Sequence, residues 1–136
     1  MLKFGFTNCS KEKLSKEFFN KYLKVAYKVM KPLIDKKLLK RNGTVDLVII
    51  DDKEMQSMNK QYRGKNNPTD VLSFAYLEVT EYEKEKGDVI VGDIFISVDT
   101  AKKQAKEKGH NLKIEMAILF VHGLLHVFGF DHATKK

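Results

Sequence analysis

Three of the four histidines in this 136-residue chain, His122, His126 and His132, fall within eleven consecutive residues. His122 and His126 are four apart, so a helix through them projects both imidazoles from one face, one turn apart. The mostly apolar run from Ile114 to Val121 predicts that helix. Gly129 stands where a left-handed turn can end it. Phe130 and Asp131 then carry the chain back, so that His132 can approach the same point. Three neutral imidazoles on one point leave a fourth position open. That is the arrangement of a catalytic zinc, whereas a structural zinc is closed by four protein ligands.

A single histidine on an apolar face is usually a satisfied core or surface residue. Two at helical spacing can arise by chance, but three with a glycine between the second and third are hard to dismiss. The spacing His-x-x-x-His-x-x-Gly-x-x-His also matches the zinc-binding helix of the metzincin proteases. There the glutamate after the first histidine is the general base, and here that residue is Gly123. The metal scaffold is present and the protease base is absent.

The rest of the chain must position these residues. Leu2 to Thr7 alternates weakly and reads as a strand. Ser10 is placed to cap a helix over Lys11 to Met30, with Leu14, Phe18, Tyr22, Val25, Ala26 and Val29 as its core stripe and lysines on its solvated side. Pro32 ends or kinks it, and Leu33 to Leu39 adds a turn or two. Asn42-Gly43 marks a turn, and Thr44 to Ile50 reads as a largely buried strand. Asp51 is placed to cap a helix through Tyr62 with Met55 and Met58 inward, and a polar loop follows from Arg63 to Pro68. Asp70 to Tyr76 is the next strand. The charged stretch from Glu78 to Gly87 reads as an exposed, mobile loop. Asp88 to Ser97 is strand-like with Gly92 inside it, which predicts a bulge or a close backbone approach. Asp99 to Lys108 is a helix stopped at Gly109. Asn111 then opens the histidine helix, and His110 reads as a surface loop residue. The irregular alternation predicts an α+β fold, a small mixed and mostly parallel sheet packed against several helices, in one domain over 1–136.

Apolar residues make up 43% and charged residues 32%, an ordinary globular composition. No stretch reaches the length of a membrane span. Residues 1–9 lack the apolar core of a signal peptide, so the expected compartment is the cytoplasm. Cys9, the single cysteine, has no partner for an internal disulfide and reads as a strand-end or loop residue. The formal net charge of +7 favours polyanionic partners such as nucleic acid. Only Arg41 and Arg63 of the 25 basic residues are arginines. In so lysine-rich a chain an arginine can mark a place where guanidinium geometry matters. Arg41 lies beside a turn, and Arg63 opens a loop.

Three further segments stand out: Asn59 to Lys65 with its Asn-x-x-Tyr-Arg core, Thr-Asp-Val-Leu-Ser-Phe over 69–74, and Gly-Asp-Ile over 92–94. With the motif His-Gly-x-x-His-x-x-Gly-x-Asp-His they resemble, in order, the pattern of the YbeY family of bacterial metal-dependent endoribonucleases. The likeness runs from about Asn59 onward and is specific because four separate segments agree. It implies a zinc-dependent endonuclease for single-stranded RNA, with roles in ribosomal RNA processing, above all the 3′ end of the small-subunit 16S RNA, and in ribosome quality control. Small-subunit ribosomal proteins are the implied neighbours. Carried over residue by residue, His122, His126 and His132 hold one zinc ion, and Arg63 is the important basic residue. The family usually continues past the last histidine into an acidic segment, where this sequence has Ala133 to Lys136. Asn66 stands where an acidic residue is common and receives no catalytic role.

Arg63 offers paired donors to a scissile phosphate; the competing role is an ion pair with Asp51 or Asp70. Asp70 and Asp93 can orient ligands, fix loops or act as base, with structural use favoured for both. Asp131 either supports His132 or caps the turn. No residue is singled out as the general base, and attack by water or by the ribose 2′-hydroxyl stays open. Two other functions fit the zinc helix: another zinc hydrolase such as a metzincin-like peptidase, and a non-catalytic zinc-containing ribosome-associated protein.

Overall fold

The computed structural model describes residues 2–78 and 87–130. The strands are β1 (Leu2–Asn8), β2 (Gly43–Ile50), β3 (Val71–Ala75) and β4 (Val89–Ser97). The helices are α1 (Lys16–Met30), α2 (Lys36–Leu39), α3 (Asp52–Arg63), α4 (Val98–Lys108) and α5 (Leu112–Val127). The strands form one sheet in the order β1-β2-β4-β3. β1, β2 and β4 run parallel, and β3 lies antiparallel to β4 at the edge. This is the mixed, mostly parallel sheet of an α+β fold. Of the charged stretch 78–87, residues 79–86 lie outside the described residues.

Strand alternation sorts the core into two layers. Val45, Leu47 and Ile49 of β2, with Ile94 and Ile96 of β4, pack on Phe19 and Leu23 of α1 and on Phe120, Leu124 and Val127 of α5. The intervening side chains Val48, Ile50 and Phe95, with Leu72 and Phe74 of β3, pack on Met55 and Met58 of α3. α1 and α5 therefore cover one face, and α3 covers the other.

α1 differs from its sequence reading in two ways. It starts at Lys16, capped by Ser15, whose Oγ accepts from the Phe18 N–H at 3.2 Å. Ser10 instead donates to Asn8 Oδ1 at 2.7 Å and accepts from the Glu12 N–H at 3.2 Å. That local network holds the segment in a turn. The buried line is also rotated. Phe19 takes the core position, with ring centroids 5.3 Å from Phe6 and 5.4 Å from Phe120. Val25 and Val29, expected in the core, are consequently 62% and 71% exposed. Pro32 falls in a 3-10 turn over Lys31–Leu33 that ends α1.

Gly92 meets both expectations raised for it. Thr44 faces Ile90 while Val45 faces Gly92, so β4 bulges at Val91. A Cβ on Gly92 would stand 2.6 Å from the Phe74 carbonyl oxygen and 2.5 Å from Val127 Cγ1. A backbone oxygen cannot swing aside, so Gly92→Ala should lower stability by about 1–3 kcal/mol, the usual cost of overpacking. Urea unfolding checks this, and an unchanged midpoint would refute the close-approach reading.

His110 is half-buried and tied down. Its Nε2 is hydrogen-bonded at 2.7 Å to the carboxylate of fully buried Glu115, which also takes Lys108 Nζ at 3.2 Å. His110 does lie in the loop between α4 and α5, but it is a partner that the buried acid in the first turn of α5 requires and not a free surface residue.

Candidate metal centre

α5 is built to carry histidines at its far end. Asn111 caps it, accepting from the Ile114 N–H at 2.9 Å. Met116, Leu119, Phe120, Gly123, Leu124 and Val127 are buried. Gly123 seats the helix directly on β4: a Cβ there would lie 2.7 Å from Ile94 Cγ2. With 123 and 127 against the sheet, His122 stands exposed and His126 half-buried on the flank, one turn apart. The helix closes through Phe128 N–H to the Leu124 carbonyl at 3.1 Å and Gly129 N–H to the His126 carbonyl at 2.9 Å. Gly129 adopts φ +85°, the left-handed turn its position predicts.

Two imidazoles at this spacing fit two adjacent positions of a tetrahedral zinc. His132 and Asp131 lie outside the described residues. Among the described residues no group of three His, Cys, Asp or Glu side chains could hold a metal.

Arg63 is the last residue of α3, exposed, and followed by Gly64 in the left-handed conformation at φ +69°. Among the described residues its side chain forms no hydrogen bond or ion pair. Both acids considered as its partners are engaged elsewhere. Asp51 caps α3, accepting from the Glu54 N–H at 2.9 Å. Asp70 accepts from the Val71 N–H at 2.7 Å and from Gln104 Nε2 at 3.2 Å. α3 and α5 lie on opposite faces of the sheet, but both reach the edge strand β3. α5 packs against β3 directly, and the Tyr62 ring sits 5.2 Å from that of Phe74. Arg63 and the histidine pair thus approach the same sheet edge from its two sides.

Asn59 opens the Asn-x-x-Tyr-Arg segment, where its type and spacing point to no role. It is buried, and its Nδ2 donates to the Asn67 carbonyl at 2.8 Å, which ties the loop after Arg63 back to α3. Its spacing alone carried no signal for this, because the partner is a backbone oxygen. Asn66 Oδ1 accepts from Gln56 Nε2 at 3.1 Å, a bond within the same loop anchor.

Asp93 alternates with Ile94, so it points to the α3 face, away from Gly123. It accepts from the Tyr76 hydroxyl at 2.9 Å. Burial, then the bond to Asp93, raise the Tyr76 hydroxyl above its ordinary pKa. Asp46 faces Asp93 across the β2–β4 pair. Burial, and then the Asp93 charge, push its carboxyl up as well. Asp46 therefore keeps its proton to higher pH in the folded chain than in the unfolded one. Its ionisation at neutral pH counts against folding, and that penalty vanishes below the unfolded carboxylate range, near about pH 4. Asp46→Asn should raise the melting temperature at neutral pH and lose this advantage as the pH falls through that range. A variant that melts lower at neutral pH would contradict it.

Known proteins share this framework. A family model described as endoribonuclease YbeY matches residues 7–136. A Bacillus licheniformis protein named endoribonuclease YbeY is 49% identical over 96 residues, covering 68% of this chain and 61% of that protein. A Desulforamulus reducens protein of the same name is 41% identical over 115 residues, covering 84% and 75%. The chain spans 61% and 65% of the lengths of its Bacillus licheniformis and Bacillus pumilus relatives. The solution structure of TM1509 from Thermotoga maritima matches with a TM-score of 0.58 at 23% identity, over 95% of this chain and 74% of that one, a likeness of fold.

Proposed function

The chain belongs to the endoribonuclease YbeY family, and on that footing we propose that it cleaves single-stranded RNA at one zinc ion held by His122, His126 and His132. The observation that carries this reading is the exposed His122 one turn from His126 on a helix that closes at left-handed Gly129. The chemistry such an ion supplies is polarisation of a phosphoryl oxygen and a lowered pKa for water. Arg63 donates to the scissile phosphate and to the charge that develops on it. Asp131 orients His132. Asp70 and Asp93 hold the loop and strand around the site. The setting is ribosomal RNA processing in the cytoplasm, above all 16S RNA 3′-end maturation, and ribosome quality control, beside small-subunit ribosomal proteins. Among the described residues no helix is long and apolar enough to cross a membrane.

A peptidase on the same helix finds no support at Gly123. A glutamate there would have to displace Ile94, which is fully buried.

One zinc-loaded preparation should be offered single-stranded RNA, a perfect RNA duplex and casein. We expect cleavage of the single strand alone, with binding that weakens as salt rises because lysines displace counterions from phosphates. Equal cleavage of the duplex would overturn the single-strand preference, cleavage of casein alone would make the protein a peptidase, and affinity unchanged by salt would refute the electrostatic contribution.

A further inference from the structure

The positive charge of this chain is concentrated in one segment. Between residues 16 and 41, eight lysines and Arg41 stand against Glu17 and Asp35 alone, a surplus of seven positive charges that equals the net charge of the whole chain, +7. Acidic and basic residues balance in the remainder. The segment comprises α1, the 3-10 turn and α2. Lys24, Lys28, Lys31, Lys36 and Lys40 are all exposed, and among the described residues none of them forms an ion pair. Elsewhere some lysines sit in ion pairs, as in Lys3 with Asp88, Lys102 with Glu12 and Lys108 with Glu115.

This segment also adjoins the histidine end of α5. Met30, Ile34 and Leu38 pack with Leu125, Phe128 and Phe130, and the rings of Tyr27 and Phe128 stand 6.2 Å apart. Leu125 and Phe128 flank His126 in sequence, so the basic surface begins where the metal turn begins. Val25, Val29 and Leu33, 62%, 71% and 74% exposed, lie among the lysines.

We propose that α1 and α2 form a second RNA-contacting surface, a basic track that holds the unpaired strand as it leaves the metal site. The inference rests on the nuclease reading above and extends it to a surface remote from the reacting phosphate. A surplus of positive charge in such density favours a polyanion. A second copy of the chain would present the same lysines and be repelled. Aliphatic groups interleaved with ammonium groups suit an unpaired strand, whose bases expose apolar faces that a duplex hides.

The test compares wild type with the triple variant Lys24→Gln, Lys28→Gln, Lys31→Gln, which preserves helix propensity. A control triple, Lys53→Gln, Lys103→Gln, Lys106→Gln, removes the same charge from other exposed positions. Binding of metal-free protein is measured across a salt series, to a short single-stranded oligonucleotide that fills only the metal site and to a strand several times longer. For the α1 variant, affinity for the long strand should fall on the order of tenfold or more, and its logarithmic salt slope by about 2, since each single-strand phosphate contact contributes about 0.7. Affinity for the short oligonucleotide, and its cleavage by zinc-loaded protein, should stay at wild-type level. An unchanged long-strand affinity would overturn the proposal and leave the surface to an acidic protein. Equal losses on both RNAs, or an equal loss in the control, would overturn it as well. Wild-type protein that binds long RNA in this lysine-dependent way but never cleaves would instead refute the nuclease reading and leave the track standing.

Discussion

Replacing His126 with alanine should empty the metal site and abolish RNA cleavage. His126 stands in the last turn of α5, half-buried, and its carbonyl accepts the Gly129 N–H at 2.9 Å. As the second of the helical pair it is, on the proposed reading, a zinc ligand, and alanine removes its imidazole while leaving that backbone bond in place. Loss of a partner one step removed from a metal already costs about tenfold to a hundredfold in affinity, so loss of the ligand itself should cost more than that. Two readouts separate metal loss from misfolding. Elemental analysis after dialysis should find close to one equivalent of zinc in wild type and none in the variant. Wild type should also melt at higher temperature in excess zinc, because a ligand at a hundred times its Kd stabilises by about 2.7 kcal/mol, whereas the variant should not respond. A variant that retains a full equivalent would remove His126 from the ligand set.

Arg63→Lys should keep its zinc and its melting temperature and lose most of its cleavage. The side chain is exposed and, among the described residues, unpaired, so exchanging it disturbs no packing. Left-handed Gly64 and the buried Asn59, bonded to the Asn67 carbonyl, fix the loop from which it projects. A phosphoryl group in transfer spreads charge over several oxygens. A guanidinium donates to two of them at once, and an ammonium acts as a point charge. Removing one such donor costs on the order of a hundredfold or more in rate, so kcat should drop by about that much while RNA binding weakens only mildly. Wild-type turnover in the variant would return Arg63 to a structural role and move attention to Asp70, Asp93 and Asp131.

Features set by short-range rules were readable in advance. Gly129 and Gly109 end helices because only glycine enters the left-handed region cheaply. Asp51 and Asn111 cap helices because their oxygens reach the third N–H along. The misreadings lie where two local solutions compete and tertiary packing chooses. Either Phe18 or Phe19 could lead the buried face of α1. The contact of Phe19 with Phe6 and Phe120, from β1 and α5, decides it. The tie of His110 to Glu115 is likewise hidden in the sequence, since nothing there shows that this acid of α5 is fully buried. The motif identified the histidines and Arg63, but not that α5 and α3 lie on opposite faces of the sheet. That arrangement follows from strand alternation, which becomes visible only once the strands are paired.

The contact between Gly123 and Ile94 also has a historical meaning. A helix that touches its sheet through a bare α-carbon cannot acquire the protease glutamate by a single substitution. The new side chain would lift α5 off β4 and carry His122 and His126 with it in the same step that supplied the base. The helix spacing thus acts as a lock on position 123, holding it to glycine as long as Ile94 fills the sheet beneath.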